Sequence, residues 1–159
     1  PSMNLLGACY PGGHPECDTL EEDILHLKEK VDCGVGHLIT QLFFDNSCFY
    51  TFLDKARQKG IEVPIEAGIM PIVNKNQIER IVSMCGSSVP HKLATIISRY
   101  SDTPAALRDA GIFYATEQIM DLLENDVDGI HLYTMNNVEV SQRISSSIET
   151  IIAAKNAIQ

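Results

Sequence analysis

His37-Leu38-Ile39-Thr40-Gln41-Leu42-Phe43-Phe44, followed at once by Asp45-Asn46-Ser47, hands an apolar run of strand length directly to a helix start. A short, nearly continuous apolar run bounded by turn residues reads as a strand covered on both faces. The helix that follows runs to about Lys59, where Gly60 ends it. Glycine serves as a stop because it accepts the left-handed backbone at a helix C-terminus.

The same strand-then-helix unit recurs on either side. Upstream, Leu5 to Cys9 is an apolar run closed by Pro11-Gly12-Gly13. Thr19-Leu20-Glu21-Glu22 then fits a capping box, in which hydroxyl and carboxylate satisfy orphan amides. Leu20, Ile24, Leu27 and Val31 follow at helical spacing, and Gly34 stops that helix. Downstream, Pro64 to Met70 predicts a third strand, closed by Pro71. Helical segments are expected over about Lys75 to Cys85, Pro90 to Arg99 and Pro104 to Glu124. Gly129 to Met135 predicts the fourth strand, and a last helix covers about Val138 to Ala157. Strands separated by helices pair in parallel, with the helices outside. The expectation is a single α/β domain over residues 1–159, its strands lying in chain order. Two architectures remain open at this point: a small doubly wound sheet, or half of a (β/α)8 barrel, whose full length is typically about 250 residues.

Composition bounds the function. The 159 residues carry 12 Lys and Arg against 21 Asp and Glu, a formal net charge of -9. A nucleic-acid surface needs clustered cations, and an anionic membrane needs the same, so both partners are disfavoured. No apolar run approaches the roughly 20 residues that span a bilayer. Pro1-Ser2-Met3-Asn4 has no basic character of the kind that opens a signal peptide. The five cysteines, Cys9, Cys17, Cys33, Cys48 and Cys85, form no C-x-x-C pair. Neither a zinc site nor a disulfide framework is expected, and a reducing, cytoplasmic setting is.

Polar residues that interrupt the apolar strands gather at strand C-terminal ends. They are Tyr10 and His14 after the first, Gln41 and Asp45 at the second, and Tyr133, Thr134 and Asn136 at the fourth. In either architecture that edge is where ligands bind. Gln41 sits inside an apolar strand, where an unpartnered amide costs on the order of 1–3 kcal/mol. It is either satisfied by neighbouring backbone or presented to a heteroaromatic ligand. His14, between Gly13 and Pro15, is either a solvated loop histidine or a ligand contact. Asp23 and Lys30, seven apart, share a helix face that is either solvated or functional. Glu66 either is buried and paired or begins its strand exposed. No glycine-rich phosphate loop, nucleophile elbow or H-E-x-x-H is present.

Ala8-Cys9-Tyr10-Pro11-Gly12-Gly13-His14-Pro15-Glu16, Leu27 to Gly34, Ile39-Thr40-Gln41-Leu42-Phe43-Phe44-Asp45, Gly68-Ile69-Met70-Pro71 and His131-Leu132-Tyr133-Thr134-Met135-Asn136 occur in that order. Together they resemble methylenetetrahydrofolate reductase from its fifth strand to its end. The resemblance implies a TIM barrel, of which this chain carries about four βα units, strands 5 to 8. It implies FAD at the strand C-terminal ends, reduced by NADH or NADPH. It further implies hydride delivery to 5,10-methylenetetrahydrofolate, giving 5-methyltetrahydrofolate. Carried over residue by residue, Tyr10, His14, Asp23, Lys30 and Tyr133 match cofactor-binding positions. Gln41 and Gln77 match positions that contact the folate.

Some positions depart from the family pattern. Glu29 stands where some members have Arg, and His26 where they have Asn. Ile81 replaces a stacking aromatic, and Asn137 replaces an Arg that meets the folate. The strands that carry the family's general acid and the aspartate beside its flavin have no counterpart here, so no catalytic residue is assigned. The expectation is a reductase-family chain that is incomplete and inactive alone, completed by self-association or by a complementary half-barrel chain. The alternative is a non-catalytic flavin- or folate-binding subunit. No metal is expected.

Overall fold

Side-chain caps set the starts of three helices. The computed structural model describes residues 4–78, 81 and 89–157. Within them run β1 (Leu5–Cys9), α1 (Leu20–Asp32), β2 (Val35–Thr40), α2 (Asn46–Gln58), β3 (Ile65–Ile69), α3 (His91–Tyr100), α4 (Pro104–Glu124), β4 (Gly129–Leu132) and α5 (Val138–Asn156). Thr19 Oγ1 accepts from Glu22 N at 3.2 Å, as the capping box requires. The Glu22 carboxylate reaches one residue further back than usual, to Asp18 N at 3.1 Å. Asp45 and Asn137 cap α2 and α5 through Ser47 N and Val140 N. Gly34 and Gly60 adopt φ of 110° and 75°, the left-handed stops expected after α1 and α2.

The four strands form one parallel sheet in the order β1-β2-β3-β4. Alternation splits each strand between two faces. Cys9, Leu38, Ile65, Ala67 and Ile69 point into a core shared with Phe49, Phe52, Ile119, Leu122 and Ile144 from the helices. The alternate residues form the opposite face, which none of the described helices covers. Leu6 there is 61% exposed, and His37, Ile39, Glu66 and His131 are half-buried. A helix layer on one face only, with strands in chain order, is the geometry of half a TIM barrel whose open face is the barrel interior.

Polar clamps tie the strand N-terminal edge together. Arg57 donates to Ile61 O and Val63 O at 2.6 and 2.9 Å and pairs with Asp128 at 2.7 Å. Asp128 also accepts from Ile65 N at 2.8 Å. One ion pair thereby binds α2, the start of β3 and the approach to β4. On the open face Glu66 is half-buried and paired: its Oε1 lies 2.9 Å from His37 Nε2, and its Oε2 3.7 Å from His131 Nδ1.

β3 ends one residue earlier than the sequence predicts, at Ile69, and two other strands end earlier still. Leu42, Phe43 and Phe44 are buried but outside the ladder. Side chains satisfy their backbone instead: Gln118 Nε2 donates to Phe43 O at 3.0 Å and Tyr114 Oη to Phe44 O at 2.7 Å. β4 stops at Leu132, and Met135 and Asn136 turn the chain with φ of 49° and 63°. Residues 75–78 and 81 are helical; Cys85 and the rest of the helix expected before it lie outside the described residues.

Helix α4 approaches the segment after β3 so closely that only glycine fits. A Cβ on Gly111 would lie 1.6 Å from Ile72 O. Gly111→Ala forces two backbones apart, so stability should fall by about 3 kcal/mol, the upper part of the overpacking range. Urea unfolding followed by circular dichroism checks this. An unchanged midpoint would show that α4 does not seat on that carbonyl.

Candidate functional site

A cleft of about 330 Å3 opens at the C-terminal ends of the strands on the uncovered face. Leu6, Gly7 and Ala8 of β1 line it, with Ile39 of β2 and His131 of β4. Tyr10, Gln41 and Tyr133, each at or just past a strand end, complete it. Parallel pairing sends all strand ends to one edge, and alternation keeps every second side chain on one face. Three residues more than thirty positions apart therefore meet.

The functional groups are held in defined states. Gln41 Oε1 accepts from Leu42 N at 3.0 Å, which fixes the amide. Its Nε2 has no protein acceptor among the described residues and is available to donate. Tyr133 Oη donates to Thr40 O at 3.0 Å, and its ring meets His131 edge-on at 4.6 Å. Tyr10 and His14 contact each other at 4.7 Å with perpendicular rings. His14 Nδ1 accepts from Glu16 N at 3.2 Å, so in the neutral ring the proton sits on Nε2. Asp23, only 7% exposed, accepts from His14 N at 3.1 Å and ties the β1–α1 loop to α1.

The cleft thus collects Tyr10, Gln41 and Tyr133, with His14 and Asp23 behind Tyr10. Two expected site residues stand apart. Lys30 is exposed two helical turns below Asp23 and does not line the cleft. Gln77 spends its side-chain oxygen on Val73 N and Asn74 N, at 2.9 and 3.2 Å, closing the turn that starts the next helix. Ile81 is buried against Phe44, Ile72 and Leu93 and lines no part of the cleft. His131 is the residue that strand patterning left unassigned. Its two-residue offset from Tyr133 was the available signal, since period two puts both on one face.

The nearby Cys9 is not a nucleophile. Burial, with the Asp23 carboxylate adding to it, pushes its thiol up to about 12. A thiolate is the reactive form, so this sulfur packs and does no chemistry. Among the described residues no group of three or more His, Cys, Asp or Glu is arranged to hold a metal ion. No helix there is long and apolar enough to cross a membrane.

The family model described as methylenetetrahydrofolate reductase matches residues 3–149. Methylenetetrahydrofolate reductase (NADH) 1 of Arabidopsis thaliana is 35% identical over 138 residues, 81% of this chain and 23% of that protein. The 5,10-methylenetetrahydrofolate reductase of Escherichia coli K12 is 33% identical over 141 residues, 89% of this chain and 48% of that protein. The chain thus spans about half the length of the bacterial relatives it matches. Among solved structures, an uncharacterized protein from Clostridium thermocellum, described as binding two copies of 5-methyl-5,6,7,8-tetrahydrofolic acid, superposes with a TM-score of 0.62. That alignment has 18% identity and covers 94% of this chain and 54% of that one, which supports the fold. With a family match over nearly its whole length and relatives at this identity, the chain belongs to the methylenetetrahydrofolate reductase family.

Proposed function

We propose that this chain is the folate- and flavin-facing C-terminal half of a methylenetetrahydrofolate reductase barrel. The observation that carries the reading is the convergence of Tyr10, Gln41 and Tyr133 on one cleft at the strand C-terminal edge. Its volume is near the lower end of the range for small-molecule sites and suits one flat heteroaromatic ring system. Gln41 presents a donor whose orientation is already fixed through Leu42 N, so it can pair with a pterin edge at little entropic cost. The two tyrosines supply flat walls.

The residues around β1 fit the ring end of a flavin. His14 offers an Nε2 donor, Tyr10 an aromatic edge, and Asp23 holds their loop in place. FAD, when bound, would supply the hydride chemistry between NADH or NADPH and 5,10-methylenetetrahydrofolate. Asp23 and Lys30 remain the candidates for its ribityl and phosphate parts. Opening the folate ring needs a positioned acid, and general acid catalysis is typically worth about 10² to 10⁴-fold. No residue of the cleft is assigned that role, so the reaction is proposed to need the strands that complete the barrel. Free thiols at Cys9, Cys17, Cys33 and Cys48 fit a cytoplasmic setting.

A second reading is a folate-binding module without reductase activity. It is favoured by the Clostridium thermocellum neighbour, which binds two copies of 5-methyl-5,6,7,8-tetrahydrofolic acid.

Three outcomes are expected. In titrations of the purified chain, Gln41→Ala should weaken 5-methyltetrahydrofolate about tenfold, the loss of one good hydrogen bond, and FAD by less than twofold. Equal losses for both ligands would reject the assignment of Gln41 to the folate. With excess FAD and NADH, the chain alone should form methyltetrahydrofolate well below one turnover per second; a rate at or above that would mean an acid is present after all. The uncovered face and the open edges at β1 and β4 should also drive self-association. Sedimentation at micromolar concentration is expected to give a dimer or larger, and a folded monomer would contradict that.

A further inference from the structure

Regular pairing between β2 and β3 stops at Ile39 and Glu66. Leu38 N donates to Pro64 O at 2.9 Å, which sets the phase of the ladder. Continued, that ladder would send Gly68 N to Thr40 O and Leu42 N to Gly68 O. Neither rung forms. Gly68 N donates to Thr40 Oγ1 at 2.8 Å, and Leu42 N to Gln41 Oε1 at 3.0 Å. Side chains from two consecutive residues have replaced two consecutive rungs.

The neighbouring seams stay closed. Gln41 N still donates to Cys9 O at 2.7 Å, and Tyr133 N to Ile69 O at 2.8 Å. The opening is therefore confined to the β2–β3 seam, at the edge where the cleft lies. The phenol of Tyr133 reaches across from β4 into it and donates to Thr40 O at 3.0 Å. Its ring must cross Gly68 to arrive. A Cβ there would stand 2.7 Å from Tyr133 Cε2 and 2.3 Å from Thr40 O. Thr40 is fully buried, so each of its polar atoms needs a partner, and each has one.

We propose that Thr40 is a positioning residue for the cleft. Its hydroxyl stands in for its own carbonyl in the ladder. The carbonyl so released holds Tyr133, and Tyr133 faces the ligand beside Gln41 as a fixed pair. The proposal rests on the folate reading above for the identity of that ligand.

Valine keeps the shape of threonine and lacks the acceptor. In Thr40→Val, Gly68 N should turn to the carbonyl of residue 40, close the rung and compete with the Tyr133 phenol. Serine keeps the hydroxyl. The experiment titrates 5-methyltetrahydrofolate into wild type, Thr40→Val, Thr40→Ser and Tyr133→Phe. It also follows the Tyr133 ring resonances by NMR, assigned by their loss in Tyr133→Phe, and records melting temperatures. Thr40→Val should bind about tenfold more weakly and shift the Tyr133 resonances, with melting within a few degrees of wild type. Thr40→Ser should recover both binding and resonances. A merely structural role would lower the melting temperature without this split between valine and serine. Thr40→Val within twofold of wild type, or Thr40→Ser as weak as valine, would overturn the proposal. Should Thr40→Val fail to fold, Tyr133→Phe reads the same tether from its other end, and wild-type affinity there overturns it. If wild type binds no folate, the folate reading falls by itself. The Tyr133 resonances then decide, and unmoved signals in Thr40→Val would remove the positioning role as well.

Discussion

Parallel pairing makes one demand on the chain: after each strand a crossover must return it to the starting edge before the next can pair. Here helices make those returns, and they lie on one face of the sheet. Every strand C-terminus consequently falls on one edge, and every second side chain points away from the helices. Tyr10, Gln41 and Tyr133 share a cleft because of that demand and through no local attraction among them. The same demand leaves Leu6, Ile39 and the His37–Glu66–His131 group on a face that the described helices do not cover.

The two edges of the sheet are built differently. At the N-terminal edge, Arg57 and Asp128 link backbone and side chains of three elements through short contacts. At the C-terminal edge the ladder between β2 and β3 gives way, and side chains take over the bonding. Side-chain partners set position more finely than a ladder does, because each is a single residue with its own rotamer. They also make that edge sensitive to single substitutions, as expected where preorganised groups must meet a ligand.

Much of this was legible in the sequence. Strand order followed from short apolar runs alternating with capped helical stretches, and Thr19, Asp45, Gly34 and Gly60 marked boundaries that the structure keeps. The strand ends were less legible. Leu42-Phe43-Phe44 is as apolar as the strand before it; it leaves the sheet because Gln118 and Tyr114, more than sixty residues away, take its carbonyls. No local pattern reports such partners. The site divides likewise. Residues at strand ends converge because topology compels it. Gln77, assigned by resemblance, is occupied in capping a turn, and Lys30 sits out on the helix surface. Glu66, undecided from sequence, is half-buried and paired with histidines from both neighbouring strands.

Cys9 closes β1, an edge strand with one hydrogen-bonded neighbour in the chain. The residue is 1% exposed and its thiolate strongly disfavoured, whereas Cys33 is open to solvent. A thiol reagent reaches Cys9 only during excursions in which β1 parts from the helices packed over it or from the rest of the sheet. Its modification rate, normalised to that of an unprotected thiol, is then a direct readout of how often that edge breathes. The chain carries this probe natively, immediately before the loop that bears Tyr10 and His14. Any ligand or second half-barrel that seals the edge would register as a slower clock.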